Sequence, residues 1–269
     1  MQRCLDLAVK GLGKTYPNPL VGSVIVHNNV VIGEGWHYKA GEAHAEVNAI
    51  ASVKNKALLK ESTLYVNLEP CNHTGKTPPC STLIVSHQLK KVVVGCIDPF
   101  DKVNGSGVQS LKEAGIEVIV GVLEKESQEL NKRFFTVQQK KRPYIILKWV
   151  ESADGFMAPL ASERTERKPV FLSSKADQVL VHQWRTQEEA ILVGAQTVID
   201  DNPKLTSRWV RGGNPIRIVL DPNNRTEKSA TIFNEEAKTV HITKAVLGLE
   251  KNISPKAFLS KTLAFLYDK

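Results

Sequence analysis

Between residues 21 and 122, short apolar runs rich in β-branched residues ("VGSVIV", "VVIGEGW", "STLYVNL", "KVVVGC", "IEVIVGV") are separated by segments of helical period, "HAEVNAIASV" and "GVQSLKEAG". This alternation constrains the chain more than any other feature. Runs of four to eight such residues suit buried strands, and apolar residues at three- and four-residue spacing suit helices packed on them. "HNN" between the first two runs reads as a hairpin turn, and Gly stops the helix "GVQSLKEAG". The expected fold is an α/β layer sandwich with hairpin strands at one end and crossover helices after them.

A further helix, "EKESQELNKRFF", leads into the polar break "QQKKRP", which places a domain boundary near 138 to 142. A second α/β pattern follows: strand "YIILKWV", helix "SKADQVLVHQWR", strand "EAILVG", loop "DDNPKLTSR" and strand "IRIVLD". After "DPNNRT" only "TVHIT" reads as a strand. The chain of 269 residues is long enough for this division, taken as 1–140 and 141–269.

Charge and apolar content narrow the function classes. The net charge is +8, but up to residue 140 there are 16 Lys and Arg against 13 Asp and Glu, and from 141 onward 20 against 15. An excess spread this evenly argues against a nucleic-acid partner and fits a few cations that grip phosphorylated small molecules. No apolar run reaches the ~18 residues a membrane span needs, and "MQRCLDLAVKGLGKTYP" lacks a leader's apolar core and cleavage site. A cytoplasmic location is expected. Cys4, Cys71, Cys80 and Cys96 are too few and too irregular for a disulfide framework. Cys4 and Cys96 lie in apolar stretches and read as core residues.

The chemistry concentrates in two stretches. "AHAEV" sets His44 and Glu46 two residues apart, where a continuous helix would point them to nearly opposite faces. They are therefore not two equal ligands on one helical face. "EPCNHTGKTPPC" carries Cys71 and Cys80, the second behind Pro78 and Pro79, which suit the start of a helix. A thiolate there is favoured by the helix dipole. One His and two Cys give three protein ligands and leave a tetrahedral zinc with an open position, the arrangement of a catalytic site. The water in that position needs a carboxylate to manage its proton, so His44 is assigned to the metal and Glu46 to the water. His-x-Glu with a later Pro-Cys is the signature of zinc nucleobase deaminases, although their usual two-residue cysteine spacing is eight here. A zincin protease would need a second His at position 48, which is Asn. A structural zinc knuckle would need a fourth ligand, for which His73 is the candidate.

"TYPNPLVGSVIV", "GWHYKAGEAHAEVNAI", "LEPCNHTGKTPPC" and "DPFDKVNGSG", in that order, closely resemble the N-terminal domain of the bifunctional riboflavin-biosynthesis deaminase/reductase family. "KWVESADG", "WRTQEEAILVGAQTVIDDNPKLTSR" and "IRIVLD" resemble the first half of its reductase domain, so the likeness extends to about residue 225. The long cysteine spacing is what this branch of the deaminases shows.

The resemblance implies a cytidine-deaminase-like three-layer sandwich followed by a partial dihydrofolate-reductase-like α/β domain. It implies zinc-dependent hydrolysis of the 2-amino group of 2,5-diamino-6-(5-phosphoribosylamino)pyrimidin-4(3H)-one, with Glu46 shuttling the proton, and then NADPH-dependent reduction of the ribose. Asn18 would hydrogen-bond the pyrimidine; His73, Lys76 and Thr77 would reach ribose and phosphate; Asp98 would rim the substrate. The family often carries "DPNP" where this chain has "DPFD", which removes the usual residue at position 100.

In the second domain the resemblance gives Lys148 and the backbone near Val150 as a cofactor-facing first strand, and Thr197 and Asp201 as NADPH contacts. Phe171 falls where the family commonly has Trp, which keeps apolar stacking and loses an indole hydrogen bond. Arg185 and Arg208 would hold the substrate phosphate, and Leu205 would line the ribose end. The family's "EGG" motif and glycine-rich turn, which bind the NADPH phosphates, have no counterpart, so this domain is expected to be C-terminally incomplete and the chain a fragment or an assembly module there. About the last thirty residues match nothing identifiable in the family. Paired subunits are expected, because a partial domain exposes apolar surface that a neighbour could cover. Two rival readings stay open: a cytidylate or tRNA-adenosine deaminase, and a non-catalytic zinc-stapled binding module.

Overall fold

A computed structural model of the chain describes residues 1–73, 78–101, 103–163, 169–250 and 252–268. They form two compact units, Met1–Tyr144 and Ile145–Lys269.

In the first unit, β1 (Gly22–His27) and β2 (Val30–Trp36) form the hairpin. Its turn places both Asn28 and Asn29 at positive φ, 47° and 62°, the conformation that matches strand twist and that Asn tolerates. β3 (Thr63–Leu68) pairs antiparallel with β1; β4 (Lys91–Cys96) and β5 (Glu117–Val120) then add in parallel, giving the order β2-β1-β3-β4-β5. One face is covered by α2 (Ala45–Ser52), α3 (Cys80–Ser86) and α4 (Ser106–Glu113), whose Ala49, Ile50, Ile84, Val108 and Leu111 meet Ile25, Leu64, Val66, Val92 and Val94. On the other face α1 (Gln2–Ala8) lays Cys4 and Leu7 against Val24. Strand residues alternate between these layers because successive side chains point to opposite faces. Gly35 lets α2 approach β2: a Cβ there would lie 2.4 Å from Ala49 N.

"EKESQELNKRFF" is two helices, not one: α5 (Glu124–Leu130) and α6 (Lys132–Lys140) break at Asn131. The cause is long-range. Asn131, 2% exposed, accepts from Leu20 N at 2.8 Å and donates to Leu20 O at 2.9 Å. Buried Asn67 on β3 takes Gly22 N and also donates to Leu20 O. The two amides clamp residues 20–22, immediately after the turn that carries Asn18.

The second unit has a three-stranded parallel sheet, β6 (Ala190–Gly194), β7 (Ile216–Leu220) and β8 (Thr239–Ile242), in that order. α7 (Lys175–Gln187) precedes it and opens with a capping box between Ser174 and Asp177. α8 (Ala195–Asp201) packs Val198 with Leu205, Val219 and Ile232 on one face; α9 (Pro255–Tyr267) packs Phe258 with Ile218 and Ile242 on the other. Residues 226–268 are thus part of this unit's architecture. The expected first strand, "YIILKWV", does not form: residues 144–150 belong to no strand among the described residues, and Ile146, Leu147 and Trp149 are 51%, 78% and 61% exposed. Among the described residues β6 pairs with β7 alone, so its outer edge carries no strand from 144–150. No helix of the described residues is long and apolar enough to cross a membrane.

Candidate functional site

His44 is the N-cap of α2, with extended backbone (φ −72°, ψ 163°), while Glu46 lies in the first turn of the helix. The helix begins between them, so the two side chains need not obey helical spacing. Cys71 follows the end of β3, and Cys80 opens α3 behind the extended Pro79. The fold brings these segments together. Nδ1 of His44 is 3.5 Å from Cys71 Sγ and 3.4 Å from Cys80 Sγ, and the three donor atoms all lie within 4.8 Å of one another. Zinc bonds of about 2.0–2.3 Å in a tetrahedron set N–S and S–S separations of roughly 3.5–3.8 Å. The donor set fits that ion in chemistry and spacing, with Nδ1 as the ring atom aimed at it.

The electrostatics agree. Cys71 is driven down to about 4, first by the hydrogen bond from the Cys80 thiol and then by that from His44; Cys80 is driven up as the partner that keeps the proton. His44 is raised, chiefly by its hydrogen bond to Cys71. The backbone N–H of Cys80 also donates to Cys71 Sγ at 3.3 Å. Glu46 is 3% exposed and is pushed up to about 7 by burial, with the Cys71 charge adding. A carboxyl near neutrality beside two thiols and an imidazole can both accept and return a proton.

Asn18 sits next to this cluster through His37, a residue that sequence reasoning missed. His37 is 3% exposed; its Nδ1 lies 3.1 Å from Ala43 O and its Nε2 3.1 Å from Asn18 Nδ2. A carbonyl only accepts, so Nδ1 carries the proton and Nε2 accepts from the amide. Asn18 is left with its carbonyl oxygen to offer. The His37 ring stands edge-on to His44, with centroids 5.6 Å apart. His73 meets Phe100 in the same way at 5.9 Å. Asp98, 7% exposed, is pushed up to about 6 by burial and accepts from Phe100 N at 2.8 Å. Lys76 and Thr77 lie outside the described residues.

The second unit assembles less of what the sequence suggested. Arg185 and Arg208 converge on Thr206: Arg185 Nη1 donates to its carbonyl at 2.9 Å and Arg208 Nη1 lies 3.4 Å from its hydroxyl. Burial and the neighbouring Arg208 lower Arg185 to about 10. Beneath them buried His182 accepts from Arg208 N at 2.9 Å, stacks on Trp209 and is held down to about 4 by burial and both arginines. This is a pair of cations held close together, a setting that favours an anion.

Leu205 is 8% exposed and packs in the core with Val198 and Val219. Thr197 and Asp201 share one face of α8, which starts at the C-terminal end of β6. Lys148 and Val150 lie in the segment that forms no strand, and Phe171 is 66% exposed. These last three do not form a cradle with α8 among the described residues.

Two families match the chain: residues 1–96 match the cytidine and deoxycytidylate deaminase zinc-binding region, and residues 143–268 match the RibD C-terminal domain. The tail beyond residue 225 therefore falls within a recognised family domain after all. The chain is 46% identical over 246 residues to the riboflavin biosynthesis protein RibD of Aquifex aeolicus, covering 91% of this chain and 67% of that protein. It is 43% identical to RibD of Synechocystis, covering 90% and 64%. A crystal structure from Thermotoga maritima, described as a diaminohydroxyphosphoribosylaminopyrimidine deaminase/5-amino-6-(5-phosphoribosylamino)uracil reductase, superimposes with a TM-score of 0.86 at 38% identity, covering 100% of this chain and 76% of that one. The chain spans about two thirds of the length of the curated relatives it matches.

Proposed function

The chain belongs to the RibD family of riboflavin-biosynthesis proteins, and on that premise we propose that its first unit is a zinc-dependent hydrolytic deaminase of the phosphoribosylaminopyrimidine intermediate. The observation that carries this reading is the convergence of His44, Cys71 and Cys80 with buried Glu46 beside them. A zinc ion held by those three donors would supply the Lewis acidity that makes water nucleophilic near neutral pH. The rest of the chemistry belongs to the chain. Glu46 takes one proton as water adds to the ring carbon and delivers it to the ring nitrogen, which keeps it; it then carries the second proton, from the new hydroxyl, to the amine, and the C–N bond breaks to release ammonia as the carbonyl forms. Asn18, its amide fixed by His37, offers a carbonyl oxygen to a pyrimidine N–H. His73 and Asp98 rim the substrate, with Lys76 and Thr77 assigned to the ribose phosphate.

We read the second unit as the reductase-like domain, with Arg185 and Arg208 holding the substrate phosphate. NADPH is the cofactor of that domain in the family resemblance. Thr197 and Asp201 fit it, being placed beyond the carboxyl end of a parallel strand where such folds bind ligands. The exposure of Phe171 and the missing strand at Lys148 and Val150 do not fit it. We further read the protein as cytoplasmic and self-associating; the exposed Leu147, Trp149 and Leu192 of the second unit support a covered face.

Ammonia release from the diaminopyrimidine substrate, beside deoxycytidylate and an adenosine-bearing tRNA anticodon loop, tests the assignment. The expected result is turnover of the first alone, abolished by chelation and restored by zinc. Turnover of either alternative in its place would overturn it.

A further inference from the structure

We propose that Glu69 is a positioning residue for this deamination: it suspends residues 98–101 and 103–108 from the metal-ligand segment and so sets one wall of the substrate site. The proposal rests on the deaminase reading of the site and adds to it a residue with no metal or substrate contact of its own.

Glu69 lies just beyond the end of β3, two residues before Cys71, and is 3% exposed. A carboxylate has about four acceptor positions, and all four are taken by backbone N–H groups of one loop. Oε2 accepts from Asp98 at 3.2 Å and Gly105 at 2.9 Å; Oε1 accepts from Gly107 at 2.9 Å and Val108 at 3.1 Å. The last two belong to the first turn of α4, whose N-cap is Gly105 at φ +90° and supplies no side-chain cap. Glu69 fills that role from another element and complements the helix's positive end.

A second tie runs in parallel. Asn72 donates to Ser106 O at 3.2 Å and accepts from Ser81 Oγ at 2.7 Å, so Asn72, next to Cys71, links the loop to Ser81, next to Cys80. At the loop's other end Asp98 and Phe100 reach the site, and Phe100 touches His73. Displacing this loop moves Asp98 and Phe100 and removes the ring contact on His73, while Cys71 and Cys80 keep the bonds that join their own segments, Ser81 N to Cys71 O and Cys80 N to Cys71 Sγ. Only a carboxylate serves. An amide of the same shape turns its NH2 toward two N–H donors and leaves them buried without an acceptor.

The test uses the full zinc-loaded chain. In Glu69→Gln, KM for the pyrimidine is expected to rise roughly tenfold or more with a smaller change in kcat, because hydrogen bonds to a charged group are lost at a wall of the site. Zinc per chain stays at the wild-type value, and amide exchange quickens at 98, 105, 107 and 108 while β3 and β4 stay protected. Gly107→Ala presses on the same loop while leaving the charge of Glu69 in place, since its Cβ would lie 2.0 Å from Pro70 O and 3.2 Å from Glu69 Oε1; it is expected to reproduce the rise in KM and carries the test if Glu69→Gln does not fold. Wild-type KM in either folded variant, or loss of zinc in step with activity, overturns the proposal. Failure of the wild type to release ammonia would sink the deaminase reading, whereas unchanged exchange at the four amides in Glu69→Gln would sink the role of Glu69 on its own.

Discussion

β4 in the first unit and β6 in the second are both short apolar runs, "KVVVGC" and "AILVG", and both are parallel strands, yet their surroundings differ completely. Val92, Val94 and Cys96 of β4 are fully buried between two neighbouring strands and helices on both faces. Leu192 of β6 is 42% exposed on a strand paired along one edge. A parallel strand is stable when both edges and both faces are covered. The first unit meets that condition and holds three potential ligands and a proton carrier from separate segments in register. The second meets it on one side only, and of its proposed ligand contacts it gathers the two arginines and the α8 pair.

The contrast can be broken or sharpened by experiment, beginning where the effect is largest. Glu46→Gln keeps the shape of the buried side chain and removes its proton transfer; kcat for ammonia release should fall by about 10²–10⁴ with zinc content unchanged. Retained turnover would favour a binding module instead. Next, Leu64→Ala in the buried core of the first unit should cost about 2–5 kcal/mol in denaturant unfolding, against about 0.5 kcal/mol for Leu192→Ala on the open strand; equal costs would erase the distinction. Asn131→Ala should cost about 1–3 kcal/mol by leaving Leu20 N buried without its acceptor, and it should weaken substrate binding through the Asn18 turn.

The smallest effect is in the pH dependence. His182 is held at about 4, below its ordinary 6.5, so between those values the unfolded chain binds more protons and the second unit gains stability as pH rises, in full above 6.5. In the first unit Asp98, held at about 6 above its ordinary 3.8, and Glu46, held at about 7 above 4.5, bind more protons folded than unfolded there, while Cys71, at about 4 below 9.0, binds fewer; two groups against one leave the zinc-free first unit losing stability as pH rises. Unfolding followed separately in the two units should therefore show opposite slopes between pH 4 and 6, and His182→Gln should flatten the second.

What the sequence disclosed follows from how local each signal is. The hairpin at Asn28 and Asn29 is encoded by neighbouring residues. The metal cluster was legible because His, Glu and paired Cys are rare in such a pattern and have few structural uses at that spacing. The clamps were not legible. Asn67, Asn131 and Glu69 are ordinary polar letters whose partners lie up to 111 positions away, so nothing nearby marks them as buried. "YIILKWV" misled for the converse reason: its composition reports the capacity to form a strand, whereas a strand also needs a neighbour. In the tail, Ser254 and Pro255 cap and open α9 and are a local start signal, as neighbouring as the hairpin's.

X-ray absorption at the zinc edge of the purified full chain, with metal content measured on the same sample, tests the central claim most directly. One zinc per chain with two sulfur neighbours, one imidazole nitrogen and one further light atom is predicted, with loss of one sulfur in Cys80→Ser. A chain free of zinc after purification in zinc-replete medium, or a spectrum without sulfur neighbours, would contradict it.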